Sequence, residues 1–230
     1  MVVTEGAPGF ILSVSGLARE AAIAAGPGIR ALAAGGQRLP GLIEAAIAQG
    51  AAGILSFGIA GGLDPALPPG TAILAEAVIA GGERWAADAA WRERLAACLP
   101  DARLGDLAGV DLPVMTQADK QALASATRAL AVDMESHIAT RLAATHGLPF
   151  AALRVICDPA GRTIPPAAVA GMREDGGTDL GAILLALLRA PGQLPAMMRL
   201  AGDARTALGV LARCRRALDA NLMAPRAFST

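Results

Sequence analysis

The side chains best suited to chemistry in this sequence are acids at the ends of apolar runs. Arg154-Val155-Ile156-Cys157-Asp158 reads as an apolar strand closing on a carboxylate just before Pro159. Asp158 then stands at the rim where α/β enzymes bind ligands, although an Asp that merely opens a turn is the competing account. Ala131-Val132-Asp133-Met134-Glu135-Ser136 reads as a strand running into a helix, with Asp133 as N-cap and Glu135 in the first turn. A first-turn carboxylate is equally an ordinary partner of the helix macrodipole. Glu20 follows the first strand and Gly16, with a surface charge on a short helix as its other reading. The run Ser56-Phe57-Gly58-Ile59-Ala60-Gly61-Gly62-Leu63-Asp64-Pro65 lets a ligand approach the backbone closely. A dinucleotide site needs a helix directly after such glycines. Here turns and another strand follow, which argues against NAD.

Other chemistries are set aside on similar grounds. His137 and His146 are nine residues apart on one helix, hence on opposite faces, and cannot share a metal. No HExxH, GxSxG or Walker pattern occurs. Cys98, Cys157 and Cys214 are odd in number and form no CxxC, so neither a zinc ribbon nor a disulfide framework is supported. Cys157, in an apolar strand with no histidine near it in sequence, reads as an inert core thiol. The 20 basic and 20 acidic residues cancel, leaving no electrostatic footprint for nucleic acid. Lys120 is the only lysine; every other basic residue is arginine. The N-terminus lacks the features of a signal peptide. The longest purely apolar run, Leu180 to Leu188, is shorter than the roughly 20 residues that span a bilayer. A cytoplasmic protein is expected, with peripheral contact at the inner membrane as the variant reading.

The elements that must position these acids alternate. Strands are expected at Phe10–Ser15, Ile29–Ala34, Gly53–Phe57, Thr71–Ile79, Arg103–Leu107, Ala129–Val132 and Phe150–Cys157. Helices are expected at Ala18–Ala25, Pro40–Gln49, Trp85–Cys98, Gln117–Ala126 and Met134–His146. That order implies an α/β fold with a central, mixed, mostly parallel sheet flanked by helices. The 230 residues, 54% hydrophobic, suit a single domain spanning 1–230. Pro159 to Gly177 reads as a long loop. A C-terminal helical segment, about 178–220, is expected as two helices, Thr178–Arg189 and Gln193–Asp219, broken at Pro191-Gly192. On the second, Leu194, Met197, Met198, Ala201 and Leu208 share a face. Its arginines suit a helix that caps the sheet, joins a dimer or meets a membrane surface.

In order along the chain, these clusters resemble the purine nucleoside phosphorylase and nucleosidase superfamily, above all the methylthioadenosine/S-adenosylhomocysteine nucleosidases. Asp111-Leu112-Pro113-Val114-Met115-Thr116, ahead of the Lys120 helix, matches as well. The resemblance implies an enzyme that cleaves the N-glycosidic bond of an adenine nucleoside. It implies Asp158 as the acid at adenine N7 and Glu20 as the acid that orients the attacking water. Glu135 would hold the ribose hydroxyls, Met134 would pack on the sugar, and Pro113 and Val114 would line the base pocket. Ala60 and Gly61 join these as substrate-binding positions. No metal or cofactor is implied, and phosphate is the one candidate co-substrate. Phosphorolysis is disfavoured, because Ser56 and Ile59 stand where phosphorylases carry phosphate ligands and Arg19 only approaches another such position. Ser136-His137-Ile138-Ala139, Asp158-Pro159-Ala160 and the Pro191-Gly192-Gln193-Leu194-Pro195 break narrow the likeness to hopanoid-associated phosphorylases, which implies adenosylhopane as substrate. The alternatives are a methylthioadenosine-type nucleosidase, a purine nucleoside phosphorylase, or a nucleoside-binding protein without catalysis. A homodimer or larger homo-oligomer is implied too.

Overall fold

Side chains alternate across each strand, and that alternation divides the core in two. In β1 (Phe10–Ser15) Ile11 faces one way, while Leu12 and Val14 face the other. The computed structural model describes residues 9–171, 173 and 175–218. After β1 come α1 (Ala18–Ala24), β2 (Ile29–Ala33), α2 (Leu39–Ala48), β3 (Ala51–Gly62), β4 (Ala72–Ala80) and β5 (Glu83–Ala86). Then follow α3 (Ala89–Cys98), β6 (Arg103–Gly109), α4 (Gln117–Thr127), β7 (Ala131–Asp133), α5 (Ser136–Thr145) and β8 (Phe150–Asp158). The chain continues through α6 (Pro166–Ala170), α7 (Leu180–Arg189) and α8 (Leu194–Ala217). One core lies between the sheet and α1, α3 and α8, around Phe57, Trp91, Leu153 and Leu211. The other lies under α2 and α5, around Val14, Leu39, Ile43, Ile54 and Ala139.

The sheet is mixed. β1 pairs in parallel with β2 and β3, β3 with β8, and β6 with β4 and β7. β3 meets β7, and β4 meets β5 and β8, antiparallel. Strands β3, β7, β6, β4 and β8 thereby close into a ring, with β1–β2 and β5 as wings. This is the single α/β domain that the element order implied.

Several boundaries differ from expectation, each for a local reason. The helix expected over Trp85–Cys98 begins only at Ala89, where Asp88 caps it by accepting from the Trp91 amide at 2.7 Å. Residues 83–86 form an edge strand instead, because Gly81 and Gly82 both take positive φ (58° and 83°) and close a two-residue hairpin on β4. β3 does not stop at Phe57 but runs through the glycines to Gly62, held by β8 alongside. The segment 159–177 contains α6. The break at Pro191 is a short 3-10 turn, and Asp219 lies outside the described residues. Of the predicted apolar stripe of α8, Leu208 packs against the core, but the N-terminal part is not a buried face. Leu194 and Met198 are 50% and 69% exposed, while Ala207, Leu211 and Cys214 pack on the sheet. Among the described residues no single helix is long and apolar enough to cross a membrane; α7 and α8 together meet that test but are bent by 115°.

Candidate active site

Halfway along, β3 changes neighbours. Through Ser56 it pairs with β1, and from Gly61 it pairs with β7. Over Phe57–Ala60 neither strand flanks that edge, yet the backbone groups still need partners. Side chains supply them. The Ser15 hydroxyl donates to the Phe57 carbonyl at 2.7 Å, Glu20 Oε1 accepts from the Ile59 amide at 2.7 Å, and Arg154 Nη1 donates to the Ile59 carbonyl at 3.3 Å. Gly58 permits this approach: a Cβ there would lie 2.8 Å from both Arg154 Nη1 and Glu20 Oε1. The splay of one strand thus gathers a polar cluster inside an apolar sheet.

Arg154 organises the cluster. Ala152 and Ile156 of β8 face α2 and α5 while Cys157 turns into the opposite core, and a register shift after Ile156 sets Asp158 beside Gly61. The Arg154 guanidinium, 1% exposed, lies 3.1 Å from Glu135 Oε2 and 3.4 Å from Asp133 Oδ2, and Glu20 adds its charge nearby. Its Nη2 donates to Ser56 Oγ at 2.5 Å. Ser56 and Ser136 share a hydrogen bond of 2.8 Å, and Ser136 Oγ donates to Asp133 Oδ2 at 2.6 Å. Asp133 also accepts from the amides of Glu135 and Ser136, at 2.9 and 2.7 Å. It therefore works as a cap for α5, and Glu135 sits one position before the helix, not in its first turn.

Three carboxylates around one guanidinium leave an excess of negative charge. Burial pushes the Glu135 carboxyl up to about 7; Arg154 opposes this, and Asp133 and Glu20 add to it. Burial raises Glu20 as well, against Arg154 and the backbone donors Ile59, Leu17 and Gly16. The sign of the stability effect follows. A carboxyl raised on folding stabilises the protein fully below its ordinary value of 4.5, and that contribution is lost as pH rises through about 7. The thermal midpoint of wild type is expected to fall between pH 5 and pH 8, and Glu135→Gln is expected to flatten that fall. Parallel melting curves for the two proteins across this range would refute it.

Asp158, at the end of β8, is a neighbour to this cluster through Gly61. The two residues are paired in the sheet, and a Cβ on Gly61 would lie 3.2 Å from Asp158 Oδ2. The partner of that carboxylate is Lys120 of α4, whose Nζ stands 2.5 Å from Oδ2. Burial raises the Asp158 carboxyl, and Lys120 pulls it down. Burial also raises the Cys157 thiol, to about 12, consistent with an inert core cysteine.

The structure brings Glu20, Glu135, Ala60, Gly61 and Asp158 to one end of β3. Met134 is half-buried between Asp133 and Glu135. Pro113 and Val114 are half-buried ahead of α4, and Val114 packs with Leu63, Ala108, Ala129 and Val132 beside β7. Arg19 is exposed. Among the described residues no group of acids, histidines and cysteines is arranged to hold a metal; His137 instead lies 3.0 Å from Asp111. Arg154 and Lys120 are the residues that the reading of sequence left without a role. Both carried a signal: an arginine inside an apolar strand must find acids within the core, and a lone lysine in an arginine-rich chain is an exception to its own composition.

The chain belongs to the phosphorylase superfamily, whose family model matches residues 35–189. The fold is shared with futalosine hydrolase of Helicobacter pylori at TM-score 0.68 and 14% identity, over 91% of this chain and 97% of that one. It is shared with the 5'-methylthioadenosine/S-adenosyl homocysteine nucleosidase of the same organism at TM-score 0.63 and 16% identity, over 91% and 98%. The S-adenosylhomocysteine nucleosidase of Streptococcus pyogenes aligns at TM-score 0.63 and 13% identity, over 94% and 100%. No curated protein matches the sequence. The protein is an enzyme of that superfamily.

Proposed function

We propose that the enzyme hydrolyses an adenine nucleoside carrying a bulky apolar 5′ group, with adenosylhopane as the substrate. The observation that carries the reading is the convergence of Glu20, Glu135 and Asp158 at one end of β3. Departure of a purine leaves a ribosyl cation, which fixed negative charge stabilises, and a proton delivered to N7 makes the base a better leaving group. Asp158 is the proton donor, Glu135 binds the ribose hydroxyls with Met134 against the sugar, and Glu20 orients the nucleophile. Pro113 and Val114 wall the base, and Ala60 and Gly61 offer backbone beside it. Water is favoured over phosphate because Ser56 and Arg154 are already bound to Ser136 and to the carboxylates.

The apolar 5′ group is supported by α7 and the start of α8. Leu180, Leu184, Leu188, Leu194 and Met198 are 50–74% exposed there. Residues 180–202 hold Arg189 and Arg199 but no acid, so the same face suits an anionic bilayer at about 1 kcal/mol per basic residue near the surface. The enzyme is expected to release adenine from detergent-dispersed adenosylhopane faster than from methylthioadenosine, without inorganic phosphate, and to co-sediment with vesicles containing anionic lipid. Equal turnover of the two nucleosides without vesicle binding would leave a plain nucleosidase, and a strict need for phosphate would overturn hydrolysis.

A further inference from the structure

Lys120 is wholly buried, and every proton of its ammonium has an acceptor. Besides Asp158 Oδ2 at 2.5 Å, Nζ donates to the carbonyls of Pro159 at 3.0 Å and Arg162 at 3.1 Å, and it lies 3.4 Å from the carbonyl of Asp158 itself. The segment just before α4 is joined to the same loop by two more hydrogen bonds. The Ile164 amide donates to the Met115 carbonyl at 2.8 Å, and Gln117 Nε2 donates to the Gly161 carbonyl at 2.5 Å. The loop is anchored on its far side as well, where Arg162 forms an ion pair with Asp203 of α8. Thr116 fixes the start of α4 by accepting from the Asp119 amide at 3.1 Å, so Lys120 enters from a capped helix.

The residue type is informative. Lys120 is the sole lysine among 20 basic residues. An ammonium is a compact charge with three donors that radiate from one atom, whereas guanidinium donors lie in a rigid planar fork. A carboxylate and carbonyls converging on one point suit the first and not the second. A lysine in this place in an otherwise arginine-only chain is therefore explained by geometry.

We propose that Lys120 is a positioning residue for Asp158: it occupies one carboxylate oxygen, leaves the other for the ligand, and sets the pH at which the carboxyl keeps its proton. The inference rests on the reading of Asp158 as proton donor only for its effect on rate. The charged and titratable groups facing Asp158 are Lys120 from α4, Arg162 from the loop after β8 and the adjoining Cys157 thiol; across β3 lie Gly61 and Val132, which carry no charge. Lys120 and Arg162 favour the carboxylate, and burial favours the acid. Removing the Lys120 charge must then move the Asp158 titration upward, by about 1–3 pH units for a charge this close.

Lys120→Gln keeps an amide donor for the carbonyls and removes the charge. Two readouts are needed: the pH profile of kcat/KM for adenine release, and the titration of the Asp158 carboxyl carbon followed by NMR. Both are expected to move up in Lys120→Gln, with the alkaline limb of the rate displaced by at least one pH unit. Lys120→Arg retains the charge, and is expected to lower kcat while holding the limb at the wild-type pH; it also serves if Lys120→Gln fails to fold. A carboxyl titration that moves while the rate profile stays still would uphold the role of Lys120 and overturn that of Asp158 as acid. An unmoved carboxyl titration in a folded Lys120→Gln, or an Arg variant whose limb moves as far as that of Gln, would reduce Lys120 to a structural tie and overturn the inference.

Discussion

Replacing Asp158 by Asn is expected to lower kcat for adenine release by about 10²–10⁴-fold, the usual contribution of a general acid, with little change in the far-ultraviolet circular dichroism spectrum. Asn has the shape of Asp, and its carbonyl can still accept from Lys120, so the loop after β8 keeps its anchor on the Pro159 and Arg162 carbonyls. What is lost is the transferable proton. The amide can still donate a hydrogen bond to a base nitrogen, so the KM is expected to change far less than kcat, as befits an interaction that matters in the transition state. A variant retaining more than about a tenth of the wild-type kcat falls outside the range for loss of a general acid and would show that the proton reaches the purine by another route.

The second large effect is on stability. Arg154→Met removes the guanidinium that faces Asp133, Glu135 and Glu20, all of them buried. Breaking a buried ion pair by deleting one partner costs about 3–5 kcal/mol. For a domain of this size that is a fall in thermal midpoint on the order of 10 °C. The deficit has a direction in pH. Without Arg154 the Glu135 and Glu20 carboxyls, already raised by burial, rise further, so the folded state holds their protons more tightly. Instability is then most severe at high pH and is relieved as pH falls and the carboxyls protonate. Melting wild type and Arg154→Met at pH 5 and at pH 8 tests both halves. A midpoint within about 2 °C of wild type at pH 8, well short of the fall such a deletion implies, would mean that the three carboxylates do not depend on Arg154. Arg154→Lys is expected to recover part of the stability, because it restores charge without the donors that reach Ser56 and the Ile59 carbonyl.

Much of this was legible along the chain. Period-two apolar runs and the helices between them are local properties, and they defined the α/β class and most element positions. Asp158 and Glu135 were legible for a related reason: a carboxylate where an apolar strand stops is at the edge of a sheet whatever the sheet's order.

Tertiary structure alone decided which groups meet. Nothing local says that β3 leaves β1 at Ser56 and joins β7 at Gly61, because strand pairing depends on contacts distant in sequence. That splay leaves the Ile59 backbone open to Glu20 and Arg154. The partner of Asp158 is 38 residues away on α4, and no periodicity links a helical lysine to a strand-end acid. The edge strand at Trp85 is a different case: its signal is local, since Gly81 and Gly82 turn the chain back on β4 in a two-residue hairpin. Hydrophobic pattern determines which faces are buried, but it does not determine which buried charges face one another; that is settled when the strands close and each charge must find its partner within the packed interior.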